Sequence, residues 1–263
     1  QKMGAPNEII SPLVQNITKL WDLFSGYGMT TLELNPIRLA RNSKGRLEPI
    51  ACDFKCAFDT DDRNRLRLNL PDDLDSMDLS DYELEVNQLR TYQGQSDVTI
   101  INPAGSITAM TFGGGANALV TELLGDAATI SSDFGGNPPY GKMFEISRIT
   151  YKHWLPQTNV LFLIGGKANN TDIYETFRAM ADGLREYFSE NGPTPIYVLV
   201  GRGGPNVVRG MGYVKDTLDS LGIPYSMFGY DSAMSEVINF AQKMDIWMKD
   251  GGRKMIATKL GIK

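Results

Sequence analysis

Apolar positions open the chain at helical spacing. Ile9, Leu13, Ile17, Leu20 and Phe24 share one stripe of a helix, and Gly26 and Gly28 end it. The period then shortens to two. Residues 29–33 predict a strand, Pro36 interrupts it, and residues 37–39 resume extended. Asn42-Ser43-Lys44-Gly45 predicts a turn and residues 49–54 a second strand. A helix with one antiparallel hairpin cannot bury its own faces, so the chain is expected to open in the middle of a domain.

Residues 59–95 follow neither period. Asp72, Asp73, Asp75, Asp78 and Asp81 cluster there, which predicts a solvated connection with a short helix over residues 82–92. From Asp97 the pattern changes again. Apolar runs at residues 107–112, 127–130, 160–164, 196–200 and, more weakly, 225–228 predict buried strands. Amphipathic stretches at 117–124, 140–154, 172–189, 207–221 and 232–248 alternate with them. Strand–helix alternation predicts a parallel sheet covered on both faces. Glycine-rich turns follow the strands at 113–115, 135–136, 165–166 and 203–204. Open α/β sheets bind ligands at such carboxyl ends. The basic residues 249–263 predict a peripheral helix or arm, and the expected division is 1–95, 96–248 and 249–263.

Composition narrows the function classes. A net charge of −5 leaves nothing to neutralise a phosphate backbone, so a nucleic-acid partner is not expected. No apolar run approaches the roughly 20 residues that span a membrane. The chain opens without a basic-then-apolar signal segment, so a cytoplasmic protein is expected. Cys52 and Cys56 belong to no metal-like cluster and read as reduced thiols. His153, the single histidine, reads as a helix-surface residue.

Four constellations carry chemistry. Glu33-Leu34-Asn35-Pro36 and Asp53-Phe54-Lys55 present hard oxygen donors suited to Mg²⁺, or else ordinary turn residues. Gly113-Gly114-Gly115-Ala116-Asn117 and Asp133-Phe134-Gly135-Gly136-Asn137 each lead into a helix whose free amides can hold an anion, with Gly114, Gly115 and Gly135 as candidates. Tight packing and simple capping are the alternatives. Gly165-Gly166-Lys167-Ala168-Asn169-Asn170-Thr171 and Gly201-Arg202-Gly203-Gly204 end adjacent strands. An arginine there grips a carboxylate or forms a structural ion pair.

Together these motifs resemble the β-type subunit of succinyl-CoA synthetase and, more closely, the corresponding part of ATP-citrate lyase and citryl-CoA synthetase. Glu33-Leu34-Asn35-Pro36 with Asp53-Phe54-Lys55 is similar to the end of an ATP-grasp domain. Gly113-Gly114-Gly115-Ala116 and Ile164-Gly165-Gly166 are similar to the flavodoxin-like CoA-ligase domain. The resemblance covers nearly the whole chain. The Gly-Gly-x-Ala-Asn-x-Thr and Arg-Gly-Gly-Pro-Asn stretches tilt it towards the citrate enzymes.

The resemblance implies an α/β chain that forms citryl-CoA through a phosphohistidine and citryl phosphate, using ATP and CoA. Asn35 and Asp53 would hold Mg²⁺ and Glu33 would orient the phosphohistidine. Gly136, Asn169, Thr171, Tyr187 and Arg202 would contact citrate. An α-like partner would bring the phosphohistidine and most of the CoA site, making a hetero-oligomer, because His153 lies outside any glycine-rich phosphohistidine loop. Succinate–CoA ligation and a non-catalytic tricarboxylate-binding module are the alternatives. Lys167 and Asn170 stand where the citrate enzymes carry other residues. Lys167 is either an added charge for a third carboxylate or a solvated lysine.

Overall fold

A computed structural model describes residues 6–59, 62, 64, 79–91 and 93–262. Asp72, Asp73, Asp75 and Asp78 lie outside the described residues. The chain divides into two compact units, 1–77 and 78–263.

In the first unit, α1 (Asn7–Gly26) precedes β1 (Met29–Leu34), β2 (Ile37–Arg41), β3 (Leu47–Ala51) and β4 (Phe54–Phe58). The Asn42 side chain accepts the amides of Lys44 at 2.9 Å and Arg46 at 3.0 Å, closing the β2–β3 turn. β1 pairs antiparallel with β4, and β2 with β3. The four strands are one long hairpin interrupted at Asn35-Pro36 on one arm and Cys52-Asp53 on the other. The expected second strand is therefore split. Pro36 has no amide to donate, so the ladder stops and restarts. Val14, Ile17, Trp21 and Phe54 stay exposed, as expected of a helix and hairpin that do not bury each other's faces. Cys52 and Cys56 are free thiols.

The second unit opens with α2 (Asp81–Asn87) and β5 (Asp97–Ile100). Then come β6 (Ile107–Phe112), α3 (Gly114–Leu124), β7 (Ile130–Asp133), α4 (Tyr140–Trp154), β8 (Val160–Lys167), α5 (Ile173–Asn191), β9 (Tyr197–Gly203), α6 (Val207–Leu221), β10 (Tyr225–Phe228), α7 (Met234–Trp247) and α8 (Arg253–Lys259). β6, β8, β9 and β10 form a parallel sheet in the order β10-β9-β8-β6. β7 continues it beside β6, through Phe134 N–H to Thr111 O and Thr129 N–H to Ile107 O, both 2.9 Å. β5 closes the edge, antiparallel to β7. Counted along the chain, the parallel strands lie 2-1-3-4-5, the flavodoxin-type doubly wound order, with its switch point between β6 and β8.

The buried runs alternate faces. Met110, Phe112, Leu161, Leu163, Val198 and Val200 pack in the core under α4, α5 and α6. Ile107, Ala109, Phe162, Ile164 and Leu199 pack in a second core with α3 and α7. β7 lies three residues later than the pattern predicts, because residues 125–127 form a 3₁₀ turn first. Its polar residues still form a buried strand because Ser132 Oγ donates to Ala109 O at 2.9 Å and accepts Thr111 N–H at 3.0 Å. The tail turns back after α7 at Asp250 and Gly251. Arg253 pins it by donating to Pro156 O, Thr158 O and Asn159 Oδ1 at 2.7–2.9 Å. Among the described residues, no helix is long and apolar enough to cross a membrane.

Candidate functional site

The switch point opens a cleft of about 270 Å³ at the carboxyl ends of β6 and β8. Its walls are backbone turns made possible by glycine. Gly113 takes φ 99° to swing the chain from β6 into α3, and Gly136 takes φ 72° after β7. A Cβ on Gly165 would lie 2.9 Å from the Phe112 carbonyl, so β8 can approach β6 only as glycine there.

Asp133 joins the turns. Its Oδ1 accepts the amides of Gly113 at 2.7 Å and Gly135 at 2.9 Å. With its amide nitrogen facing Asp133, Gln95 donates to both carboxylate oxygens at 3.2 and 3.1 Å. The first turn of α3 is left with amides that no helical carbonyl can reach, and Gly114, Gly115 and Ala116 line the cleft. Across it, Asn137, Asp172 and Asn206 form a chain. Asn137 Oδ1 accepts the Asp172 amide at 3.0 Å, and Asn206 Nδ2 donates to Asp172 Oδ2 at 2.9 Å. Asp172 also caps α5 through the amides of Tyr174 and Glu175. Asn137 and Asn206 both sit in the left-handed region, at φ 54° and 58°.

Arg202 is the chemical centre of the cleft. It is 3% exposed, and its guanidinium carbon stands 3.6 Å from the centre of the Phe112 ring. Its Nε and Nη1 have no hydrogen-bond partner. Burial pushes its pKa down to about 9, while the Asp133 charge works the other way. A buried cation with unpaired donors is costly unless an anion meets it. The planar fork suits a carboxylate or phosphate held by two parallel bonds.

The cleft thus brings together Gly114, Gly115, Gly135, Gly136, Thr171 and Arg202 of the expected residues. Thr171 is buried on the lining, and the exposed Asn170 lines the cleft as well. Asn169 is exposed and adjoins the lining without belonging to it. Tyr187 is not brought there. It lies 14 residues beyond Ile173 on α5, about 21 Å along the axis at helical rise. There it packs edge-on against Phe188 and lines a separate groove between α2, α4 and α5. Sequence reasoning missed Phe112 as the platform under Arg202, and Gln95 and Asp133 as the clamp.

In the first unit, Glu33, Asn35 and Asp53 gather at the break in the hairpin, where Leu34 pairs with Phe54. Asn35 Nδ2 donates to Glu33 Oε1 at 3.4 Å, and Asp53 accepts the Phe54 amide at 2.8 Å. Among the described residues, no three His, Cys, Asp or Glu side chains form a metal-binding group. His153 stands on α4 with its Nε2 3.0 Å from Glu85 Oε1, the placement expected of a helix-surface histidine.

Comparisons with known proteins identify the relatives of this chain. The family of ATP citrate lyase citrate-binding domains matches residues 78–244. ATP-citrate synthase alpha chain protein 1 of Arabidopsis thaliana is 26% identical over 250 residues, covering 88% of this chain and 57% of that protein. A probable ATP-citrate synthase of Caenorhabditis elegans is 26% identical over 249 residues, covering 86% of this chain and 22% of that protein. The chain therefore spans less than two thirds of these curated relatives. The fold matches the structure of ATP citrate lyase from Methanothrix soehngenii, in complex with citrate and coenzyme A, at TM-score 0.72 and 23% identity. That match covers 91% of this chain and 61% of the other. With the family match spanning most of the chain and the cleft lying within it, this chain belongs to the ATP citrate lyase citrate-binding family.

Proposed function

We propose that this chain is the citrate-binding part of an ATP-citrate lyase-type enzyme and that citrate occupies the cleft at the β6–β8 switch point. The observation that carries this reading is Arg202, buried with two donors unpaired at the end of β9. The family membership and the citrate-bound structural relative support it. Arg202 holds one citrate carboxylate bidentately. Thr171 adds a hydroxyl, and the amides of Gly114 and Gly115 at the start of α3 meet a second anionic group. Gly136, and Asn169 at the end of the β8 loop, complete the contact set.

The chemistry follows the family. A phosphohistidine carried by another polypeptide or domain transfers its phosphoryl group to a citrate carboxylate oxygen, giving citryl phosphate. The CoA thiolate then attacks the acyl carbon and phosphate departs, leaving citryl-CoA. In this chain the cleft binds and orients the acid, and its amides and Arg202 offset the anionic charge. The first unit is the end of an ATP-grasp domain in this reading, with Glu33 orienting the phosphohistidine. The oxygens of Asn35 and Asp53 are hard donors that fit Mg²⁺. Bound there with a nucleotide, Mg²⁺ supplies charge neutralisation at the phosphates.

Calorimetric titration of the chain tests the acid site. Citrate is expected to bind, and Arg202→Met to weaken it by about 30-fold or more, the worth of a buried charge-assisted pair. Binding of succinate with indifference to citrate overturns the reading in favour of succinate–CoA ligation.

A further inference from the structure

The lining of the cleft carries two charged side chains, Arg202 and Lys167, and both are positive. They differ in every other respect. Arg202 is buried and fixed against Phe112, whereas Lys167 is exposed at the last position of β8. β8 loses register with β9 between Ile164 and Lys167 and recovers it at the Lys167–Gly203 pair. Irregularities of this kind re-aim side chains at the rims of sheets. Among the described residues, Lys167 forms no ion pair, and its ammonium rests 5.6 Å from the centre of the Tyr230 ring. An exposed cation–π contact is a weak hold on a flexible four-carbon stem. Lys167 also lines a small pocket at the β8–β9 ends, which Tyr230 shares, so the residue borders two openings while its ammonium rests on the Tyr230 side.

We propose that Lys167 is the specificity residue of this cleft, a movable cation that counts carboxylates. Arg202 takes one carboxylate and the amides opening α3 take a second. A third, reaching the rim, draws the Lys167 ammonium off Tyr230. A dicarboxylate leaves Lys167 where it is. The inference rests on the citrate reading of the site and adds what separates tricarboxylates from shorter acids. Because Lys167 is exposed, its contribution is screened by salt, whereas that of buried Arg202 persists.

The test compares citrate with 3-hydroxyglutarate, which is citrate without its central carboxylate. Each is titrated calorimetrically into the unaltered chain, Lys167→Met, Lys167→Arg and Arg202→Met. At low salt, Lys167→Met is expected to weaken citrate by about fivefold, in line with an exposed charge pair, and 3-hydroxyglutarate by less than twofold. Lys167→Arg restores citrate, and the fivefold difference closes in about 1 M salt. Arg202→Met weakens both ligands. Equal weakening of both ligands by Lys167→Met, or none, overturns the role of Lys167 while leaving the citrate site standing. Absence of binding by either ligand to the unaltered chain, with no difference in Arg202→Met, overturns the citrate reading and this inference together.

Discussion

Arg202 shows how one residue can work against the fold to serve a site. It is charged, 3% exposed and has two donors unpaired. Its pKa lies at about 9, well below the ordinary arginine range. A basic group with a depressed folded pKa weakens the fold wherever it is protonated, and that penalty lifts as pH rises through about 9 towards the ordinary arginine range. Arg202→Met should therefore raise the stability of the ligand-free protein at pH 7, by about 1–3 kcal/mol in urea denaturation. The same variant should lose the rise in Tm that citrate gives the unaltered chain; a ligand-free protein made less stable by the change would refute this account. Citrate affinity should also fall as pH rises above about 9, where the free cleft loses its cation. Titrations from pH 7 to 10 read that directly. The residue itself was legible in the sequence, since an arginine between glycines at the end of an apolar run has few other uses. Its platform, Phe112, was not legible, because the two residues meet only once β6 and β9 are known to flank β8. Tyr187 errs in the opposite way. Its helix starts two residues after Thr171 of the cleft lining, but the rise of that helix carries Tyr187 about four turns away.

Turns rather than strands give the cleft its shape, and Asp133 is the element that locks two of them. One carboxylate oxygen serves the amides of Gly113 and Gly135. Asp133→Ala leaves the half-buried Gly113 amide and the buried Gly135 amide without that acceptor, which should cost about 2–4 kcal/mol. Asp133→Asn keeps an oxygen in position and should lose less than half of that. Urea denaturation of the two variants separates the loss of an acceptor from the loss of a charge; equal losses would mean that the charge, not the acceptor, holds the turns. The alternation of apolar runs with amphipathic stretches made most strands and helices of the second unit readable, and α4 and α6 carry the bounds that the pattern predicts. β5 and β7 were harder. Ser131-Ser132-Asp133 lie beyond the apolar run at 127–130 that predicts a strand, because their side chains are polar. They belong to a strand because Ser132 bonds to both the carbonyl of Ala109 and the amide of Thr111 on β6. β5 exists as its antiparallel neighbour, with the Ile100 amide also donating to Glu83 in α2 at 3.0 Å. Neither partnership leaves a mark on local periodicity.

At the scale of the whole molecule, the two units differ in how completely they close. The second unit buries β6 on both faces along its whole length, and two apolar clusters sandwich the sheet. In the first unit, Ile9 is the buried residue of α1, while Trp21 and Phe54 are 65% and 67% exposed. Burial on both faces makes opening a strand a global event, whereas a half-covered hairpin opens locally. Amides of β6 and β8 should therefore exchange with solvent only through global unfolding of their unit. Those of β2 and β3 should exchange at least about 100-fold faster, equivalent to a gap of about 3 kcal/mol in opening free energy. Citrate bound at the switch point stabilises the unit that holds it by mass action. Its addition should slow exchange in β6, β8 and β9 and leave β2 and β3 unchanged. Hydrogen exchange read by mass spectrometry, with and without saturating citrate, follows both units in one experiment. Slowing confined to the hairpin would put the acid site in the first unit and overturn the assignment to the cleft. Slowing confined to the sheet would tie ligand energy to the element that carries Arg202.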